Sequence, residues 1–328
     1  MRHFLSLFDV STDEIKHLLR EAVRLKKKHL RGSNDPVLRG KTLGLVFEKP
    51  SLRTRVSFET AMLQLGGGSL FISGAEVGFG VRESVPDIAR TLSQYVDVIA
   101  LRTFKQATID EIAIHATVPV VNALSDYSHP CQALGDVLTM MEELDGELAG
   151  RTVVFVGDGN NVARSLATAC GHLGVRFVLA APQGYGFDAP FLKQFRAALP
   201  GAELEHVADA VQAVRKADVI YTDVWTSMGQ EAEQEKRKKA FTGYQVNSAM
   251  LAKAPSHALV MHCLPAHRGE EISAEVMDEP RCVVFPQAGN RMHIQKALLL
   301  WLLADGVRPR KKAPEKVAAR PAKKARGR

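Results

Sequence analysis

The chain has 328 residues, 46% of them apolar and 24% charged, a size that holds two ordinary domains and a composition that excludes a disordered or fibrous protein. Its formal charge of +7 is local: Arg308 to Arg328 carries ten Lys/Arg and one Glu, a net of +9, so the preceding chain holds 33 basic against 35 acidic residues, a net of −2. The body therefore offers no electrostatic reason for a polyanionic partner, and no apolar run is long enough to cross a membrane.

In chain order, Met1 to Asp9 has too short an apolar run for a signal peptide. Ser11, with Glu14 three residues on, opens a helix that runs to about Leu30 and ends in the basic Lys26-Lys27-Lys28. Thr42 to Phe47 reads as a strand, and an amphipathic run from about Val56 to Leu65 as a helix. Ser51, Arg53, Thr54 and Arg55 fall between them, where free backbone N–H groups, two hydroxyls and two guanidiniums can hold an anion. The same Ser and Thr equally suit an ordinary helix cap.

A strand at Ser69 to Ile72 follows, then a glycine-rich loop from Gly74 to Gly80 and a helix from Val85 to Tyr95. A strand at Val98 to Leu101 delivers Arg102. After a helix near Ile109 to Ala116 and a strand at Val118 to Val121, Pro130 starts a helix running to about Leu144, with His129 just before it. Alternating strands and helices predict a mostly parallel α/β sheet with ligands at the carboxyl ends of its strands. The Arg53, Arg102 and His129 segments each follow such a strand.

Gly146 to Arg151 reads as a domain boundary. Thr152 to Val156 restarts the alternation, followed by Gly157-Asp158-Gly159-Asn160-Asn161 and a helix. Val162 stands where a dinucleotide fingerprint needs its third glycine, and no acidic residue follows near Leu179 to Gln183, so NAD is rejected. Asn161 is left either as a ligand for a small polar group or as a helix cap. Further strands are expected at Phe177 to Ala180, Val219 to Tyr221 and Leu259 to Met261, the last two opening onto loops at Asp223 to Glu231 and His262 to Glu271.

The Glu231 to Lys239 run reads as a solvated helix of mixed charge. Val283 to Phe285 reads as a last strand, before Gln287 to Arg291 and an apolar helix to about Leu303. The Pro-, Ala- and Lys/Arg-rich tail from Arg308 reads as disordered, either a solubilising tail or a weak RNA contact. Cys131, Cys170, Cys263 and Cys282 form no C-x-x-C pair, and Pro265 breaks any helix between His262 and His267, so neither zinc nor another metal is expected. Cys263 beside His262 suggests an activated nucleophile, but neighbours on a strand point to opposite faces. The unpaired thiols suit a reducing, cytoplasmic compartment.

Ser51-Leu52-Arg53-Thr54-Arg55, Arg102-Thr103-Phe104, His129-Pro130-Cys131-Gln132, Gly157 to Asn161, Asp223-Val224-Trp225 with Ser227-Met228-Gly229, His262-Cys263-Leu264-Pro265 with Arg268-Gly269-Glu270-Glu271, and Asn290-Arg291-Met292-His293 follow one another in a fixed order. Together they resemble the aspartate/ornithine carbamoyltransferase family over nearly the whole chain up to Leu303, with the Asp223 and Arg268 segments similar to its ornithine type. The resemblance implies two doubly wound α/β domains, each with a mostly parallel sheet, and a ligand site in the cleft between them. Residues 1–145 would form a carbamoyl-phosphate domain, completed by a C-terminal helix at 290–304. Residues 146–289 would form the ornithine domain.

It further implies transfer of a carbamoyl group from carbamoyl phosphate to the δ-amine of ornithine, giving citrulline for arginine biosynthesis, in a cytoplasmic homotrimer or multiple of trimers without metal or cofactor. Ser51, Leu52 (through its N–H), Arg53 and Thr54 would hold the phosphate. Arg102, His129, Gln132 and Arg291 would hold the carbamoyl group, and Cys263 and Leu264 would line the space between the substrates. Arg102, His129 and Cys263 would form the catalytic centre. Asn161, Asp223, Ser227 and Met228 would bind ornithine. Three positions depart from the family's pattern: Leu52 in place of Thr, Gly78 in place of a Gln or His that reaches a neighbouring subunit, and Gly289 in place of Glu. Another amine, such as N-acylornithine, putrescine or aspartate, is the alternative acceptor.

Overall fold

The computed structural model describes residues 1–227 and 229–304. Two parallel sheets follow one another along the chain. The first combines β1 (Thr42–Phe47), β2 (Gly68–Ser73), β3 (Val98–Arg102) and β4 (Val120–Leu124) in the order β2-β1-β3-β4. The second combines β5 (Thr152–Val156), β6 (Arg176–Ala180), β7 (Leu204–Val207), β8 (Val219–Thr222) and β9 (Leu259–His262) in the order β7-β6-β5-β8-β9. The longer helices are α1 (Thr12–Leu30), α2 (Leu52–Gln64), α3 (Val85–Tyr95), α4 (Gln106–His115), α5 (Pro130–Glu143), α6 (Asn161–His172), α7 (Ala189–Ala198), α8 (Gln234–Ala240) and α9 (Val284–Leu303). This is the expected pair of α/β domains.

Strand order reverses between β1 and β3 in one sheet and between β5 and β8 in the other, and each reversal opens a crevice at the carboxyl ends of the strands. Parallel register pairs Phe47 with Arg102 and Thr222 with His262. The residues that follow β1 and β3, and those that follow β8 and β9, are therefore brought side by side. Strand β3 is buried along its whole length, as an interior parallel strand must be.

Helix α9 returns from the second domain and lies against α1, α2 and α5 of the first. Its approach to α5 is close at Gly135, where a Cβ would stand 3.2 Å from Arg291 Cγ. Lys26 of α1 fixes the same junction by donating to Asn290 Oδ1 at 2.8 Å and to Glu142 of α5 at 2.6 Å.

Several elements differ from the sequence reading. Helix α2 begins at Leu52, not near Val56, because Ser51 caps it by accepting the Thr54 N–H. Strand β4 is displaced to Val120, because Pro119 has no N–H to give the ladder. Gly74–Val77 is a single helical turn within the expected glycine-rich loop. Helix α7, although Phe191 and Phe195 are buried one turn apart, and the half-exposed edge strand β7 are absent from the sequence reading.

The strand expected at Val283 to Phe285 does not form. Val284 starts α9, Phe285 is 65% exposed, and Gln287 to Arg291 lie inside a continuous helix rather than in a loop. Pro286 falls in its first turn, where no N–H is needed. The Glu231 to Lys239 run is not wholly solvated either: Arg237 is buried and pairs with Asp158 and Glu233. Among the described residues no helix is long and apolar enough to cross a membrane. The basic tail lies outside the described residues.

Candidate active site

The two crevices open into one cavity of about 360 Å³ between the domains. Its walls include Ser51, Leu52, Arg53, Thr54, Arg102, His129, Gln132, Asn161, Asp223, Ser227, Cys263, Leu264 and Arg291. The site residues expected from the sequence thus meet in one place, except Arg55, which does not line the cavity, and Met228, which lies outside the described residues.

One wall is cationic. Ser51 caps α2 by accepting the Thr54 N–H, and its hydroxyl donates to Thr54 Oγ1 at 3.0 Å, which leaves the N–H groups of Leu52 and Arg53 at the helix start beside the cavity. Arg53 stands in that turn, Arg102 ends β3, and Arg291 arrives from α9, where its Nη2 donates to Thr54 Oγ1 at 2.9 Å. None of these three guanidiniums forms an ion pair among the described residues, and Nε of both Arg102 and Arg291 is buried without a partner. Burial and the neighbouring Arg291 and Arg53 pull Arg102 down to about 10, so it is still a cation at neutral pH. Arg55, expected to join this group, turns away to stack on Phe71 and bond Glu59.

His129 stands at the N-terminal boundary of α5, makes no side-chain cap bond, and is 4% exposed. Burial, with Arg291, Arg102 and Arg53 around it, holds its imidazole well below the usual histidine range, so the ring is neutral and offers one donor and one acceptor. Its Nδ1 has no partner. Gln132, three residues on, donates Nε2–H to Asp136 at 2.8 Å and leaves its own Oε1 unpartnered.

The opposite wall is acidic. Asp223 follows β8 and is 7% exposed. It accepts from Asn160 Nδ2 at 2.8 Å and from the Cys263 thiol at 3.0 Å. Burial and the Asp223 carboxylate push the Cys263 thiol well above its ordinary value, so Cys263 stays protonated. His262 cannot activate it: its Nδ1 accepts the Leu264 N–H at 2.8 Å, and its Nε2 bonds Glu271 at 3.0 Å. Asp223, His262 and Cys263 bring ligand-type atoms within 4.8 Å, but with both ring nitrogens engaged the trio does not fit a metal.

Asn161 bridges the domains by donating to the Ser125 carbonyl at 2.6 Å. Asp158 is committed to Arg237 at 2.6 Å, and Arg237 also donates to the Trp225 carbonyl, which steadies the Asp223–Ser227 loop from behind. Sequence reasoning missed Lys49, Thr226 and His267, which also line the cavity. Lys49 carries the one available signal, a basic residue two positions after an apolar strand. It is 9% exposed, and its ammonium lies 4.3 Å from the Phe104 ring centre. A cavity with unpaired cations on one side and a carboxylate on the other suits two ligands, one anionic and one carrying an amine.

Comparison with known proteins agrees with that division. Residues 2–142 match the family model for the aspartate/ornithine carbamoyltransferase carbamoyl-P binding domain, and residues 149–302 match that for the Asp/Orn binding domain. A relative from Oceanobacillus iheyensis named ornithine carbamoyltransferase is 48% identical over 93% of this chain and 95% of its own. One of the same name from Anoxybacillus flavithermus is 47% identical over 92% and 96%. The solved ornithine carbamoyltransferase from Pyrococcus furiosus superposes with a TM-score of 0.89 at 46% identity, covering 92% of this chain and 97% of its own.

Proposed function

The chain belongs to the aspartate/ornithine carbamoyltransferase family, and from that we propose that it transfers the carbamoyl group of carbamoyl phosphate to the δ-amine of L-ornithine, releasing citrulline and phosphate. The observation that carries this reading is the convergence of Arg53, Arg102 and Arg291, none in an ion pair among the described residues, opposite the buried carboxylate of Asp223. We divide the chain near residue 145, give α9 to the first domain, and assign the reaction to arginine biosynthesis.

The phosphate sits on the first turn of α2, held by Arg53, by Ser51 and Thr54, and by the free N–H groups of Leu52 and its neighbour. Arg102, neutral His129 and Arg291 surround the carbamoyl oxygen, and Gln132 receives the carbamoyl N–H2. Asp223 and Ser227, with the neighbouring Met228, hold the amino-acid end of ornithine. Asn161 joins them by exchanging its Ser125 bond for the ligand.

Attack requires a neutral δ-amine. Negative charge then grows on the carbonyl oxygen and the departing phosphate, where fixed guanidiniums and an imidazole N–H stabilise it in a site shielded from water. Alignment of the two substrates supplies the other large contribution. Protonated Cys263 packs between the substrates and does not act as a nucleophile. The leaving phosphate is the base that takes the amine proton.

We also infer a homotrimer or a multiple of it. Leu70 on free edge strand β2, Val81 and Tyr95 are 51%, 94% and 72% exposed, and apolar exposure beside an open sheet edge favours a partner subunit. The four thiols are unpaired, which supports a reducing, cytoplasmic compartment.

The test is citrulline formation from carbamoyl phosphate, with ornithine, N-acetylornithine, putrescine and aspartate compared as acceptors. A preference for ornithine of about a hundredfold or more is expected. Faster transfer to another amine would overturn the ornithine assignment, and no transfer to any would overturn the reaction.

A further inference from the structure

Beneath the cavity, one carboxylate gathers the supports of both its walls. Asp136 is fully buried and stands one helical turn after Gln132 on α5. Its Oδ1 accepts Nε2–H from Gln132 at 2.8 Å and from Gln287 at 2.7 Å, and its Oδ2 accepts the Tyr221 hydroxyl at 3.1 Å. It forms no ion pair among the described residues.

Each donor is a short step from a cavity group. Gln132 lines the cavity itself. Tyr221 precedes Asp223 by two residues. Gln287 stands one turn before Arg291 on α9, and its Oε1 accepts the His262 N–H at 3.1 Å, next to Cys263. An ionised carboxylate only accepts, so both amides must turn their N–H2 groups toward it. Gln287 is thereby fixed at both ends. Gln132 lines the cavity and is fixed at one, its Oε1 buried and unpartnered. Buried acceptors are normally satisfied, and an unmet one at a cavity wall points to a donor on the ligand.

We propose that Asp136 is a positioning residue for carbamoyl transfer: it holds the Gln132 amide with its oxygen toward the carbamoyl N–H2, and ties that contact to the segments bearing Asp223, Cys263 and Arg291. This rests on the carbamoyl-transfer reading above. Burial raises the Asp136 carboxyl to about 6, while hydrogen bonds from Gln132, Gln287 and Tyr221 and the charge of Arg291 oppose the rise. The titratable groups facing it are Arg291 from α9, Tyr221 from β8, Cys263 after β9 and Cys170 from α6. Of these only Arg291 is charged near pH 6. A proton taken up by Asp136 turns one accepting oxygen into a donor. On Oδ2 it forces the Tyr221 hydroxyl to reverse and accept, and on Oδ1 it displaces an amide, so the network is rearranged either way.

The experiment is kcat for citrulline formation at saturating substrates between pH 5 and 8, for the wild type, Asp136→Asn and Tyr221→Phe, with thermal unfolding of each as a check on folding. The wild type should lose kcat on the acid side with a midpoint near 6. Asp136→Asn should lower kcat at pH 8 by about tenfold or more and abolish that limb. Tyr221→Phe removes a donor that favours the ionised form, so it should move the midpoint upward. If Asp136→Asn does not fold, Tyr221→Phe carries the test. A wild type that turns over with a limb unmoved by either folded variant overturns this inference alone. A wild type that forms no citrulline overturns it together with the functional reading.

Discussion

Arg102 and Arg291, 6% and 2% exposed, repel each other and Arg53, and none of the three forms an ion pair among the described residues. Such an arrangement holds stability back for function. Arg102→Met should therefore raise the melting temperature of the ligand-free protein while lowering kcat by roughly a hundredfold or more. Unchanged or lower stability, measured by calorimetry, would show that the cluster is not strained.

Leu52 is a second residue-level prediction. It is the first residue of α2, 75% exposed and on the cavity wall. Leu52→Thr adds a hydroxyl beside the phosphate and should lower the Michaelis constant for carbamoyl phosphate by about threefold to tenfold. No change would mean that the phosphate sits elsewhere.

Asp136 also links residue chemistry to stability. Its carboxyl titrates higher in the folded than in the unfolded chain, so its contribution is present below the unfolded value of 3.8 and is lost as pH rises through about 6. The melting temperature of Asp136→Asn relative to wild type should accordingly rise from pH 4 to pH 7.5. A difference independent of pH would contradict the raised value. At this scale the sequence was most legible where a polar residue follows an apolar strand, as with Arg53, Arg102 and Asp223. Arg55 misled because i and i+2 lie on different helix faces, and Arg237 because a charge run on the surface can still send one guanidinium inward.

Among the elements, α9 determines most of the site's geometry and was the least well read. The apolar Val283-Val284-Phe285 run mimics a strand, yet Cys282 makes only an isolated bridge to Val260 and the helix begins at once. Local apolarity does not separate a short strand from a helix start; the neighbours of α9, which are far away in sequence, decide it. The same limit hid β7, whose Leu204-Glu205-His206-Val207 pattern is half exposed because an edge strand has one sheet neighbour.

Two of the departures from the family pattern gain a physical reading at this scale. Gly78 ends the Gly74–Val77 turn at φ 60°, and a Cβ there would come within 2.9 Å of Arg82 Cβ, so the larger residue of the family does not fit this backbone. Gly289 lies exposed inside α9 with nothing within 4 Å of an added Cβ. Gly289→Ala should stabilise the protein by about 1 kcal/mol, the ordinary helix preference of alanine over glycine. A loss of stability would show that α9 needs flexibility there.

In the whole molecule, two sheets with reversed strand order present their crevices to one another, and α9 locks the second domain's end onto the first. Alternating strands and helices made the α/β class and the cleft legible; the order of strands within each sheet was not, since pairing is set by packing between distant segments. The family resemblance implies a trimer, and so a solution mass that is a multiple of three times 35.9 kDa by light scattering, with the exposed Leu70, Val81 and Tyr95 offering apolar contacts; a monomer would contradict it. The central claim is that the cleft has an anion-binding half and an amine-binding half. It is tested most directly by initial-rate kinetics, with both substrates varied, on Arg53→Gln and Asp223→Asn. Arg53→Gln should raise the Michaelis constant for carbamoyl phosphate by about tenfold or more with that for ornithine little changed, and Asp223→Asn should do the reverse. Equal effects on both substrates from either variant, or the opposite split, would contradict it.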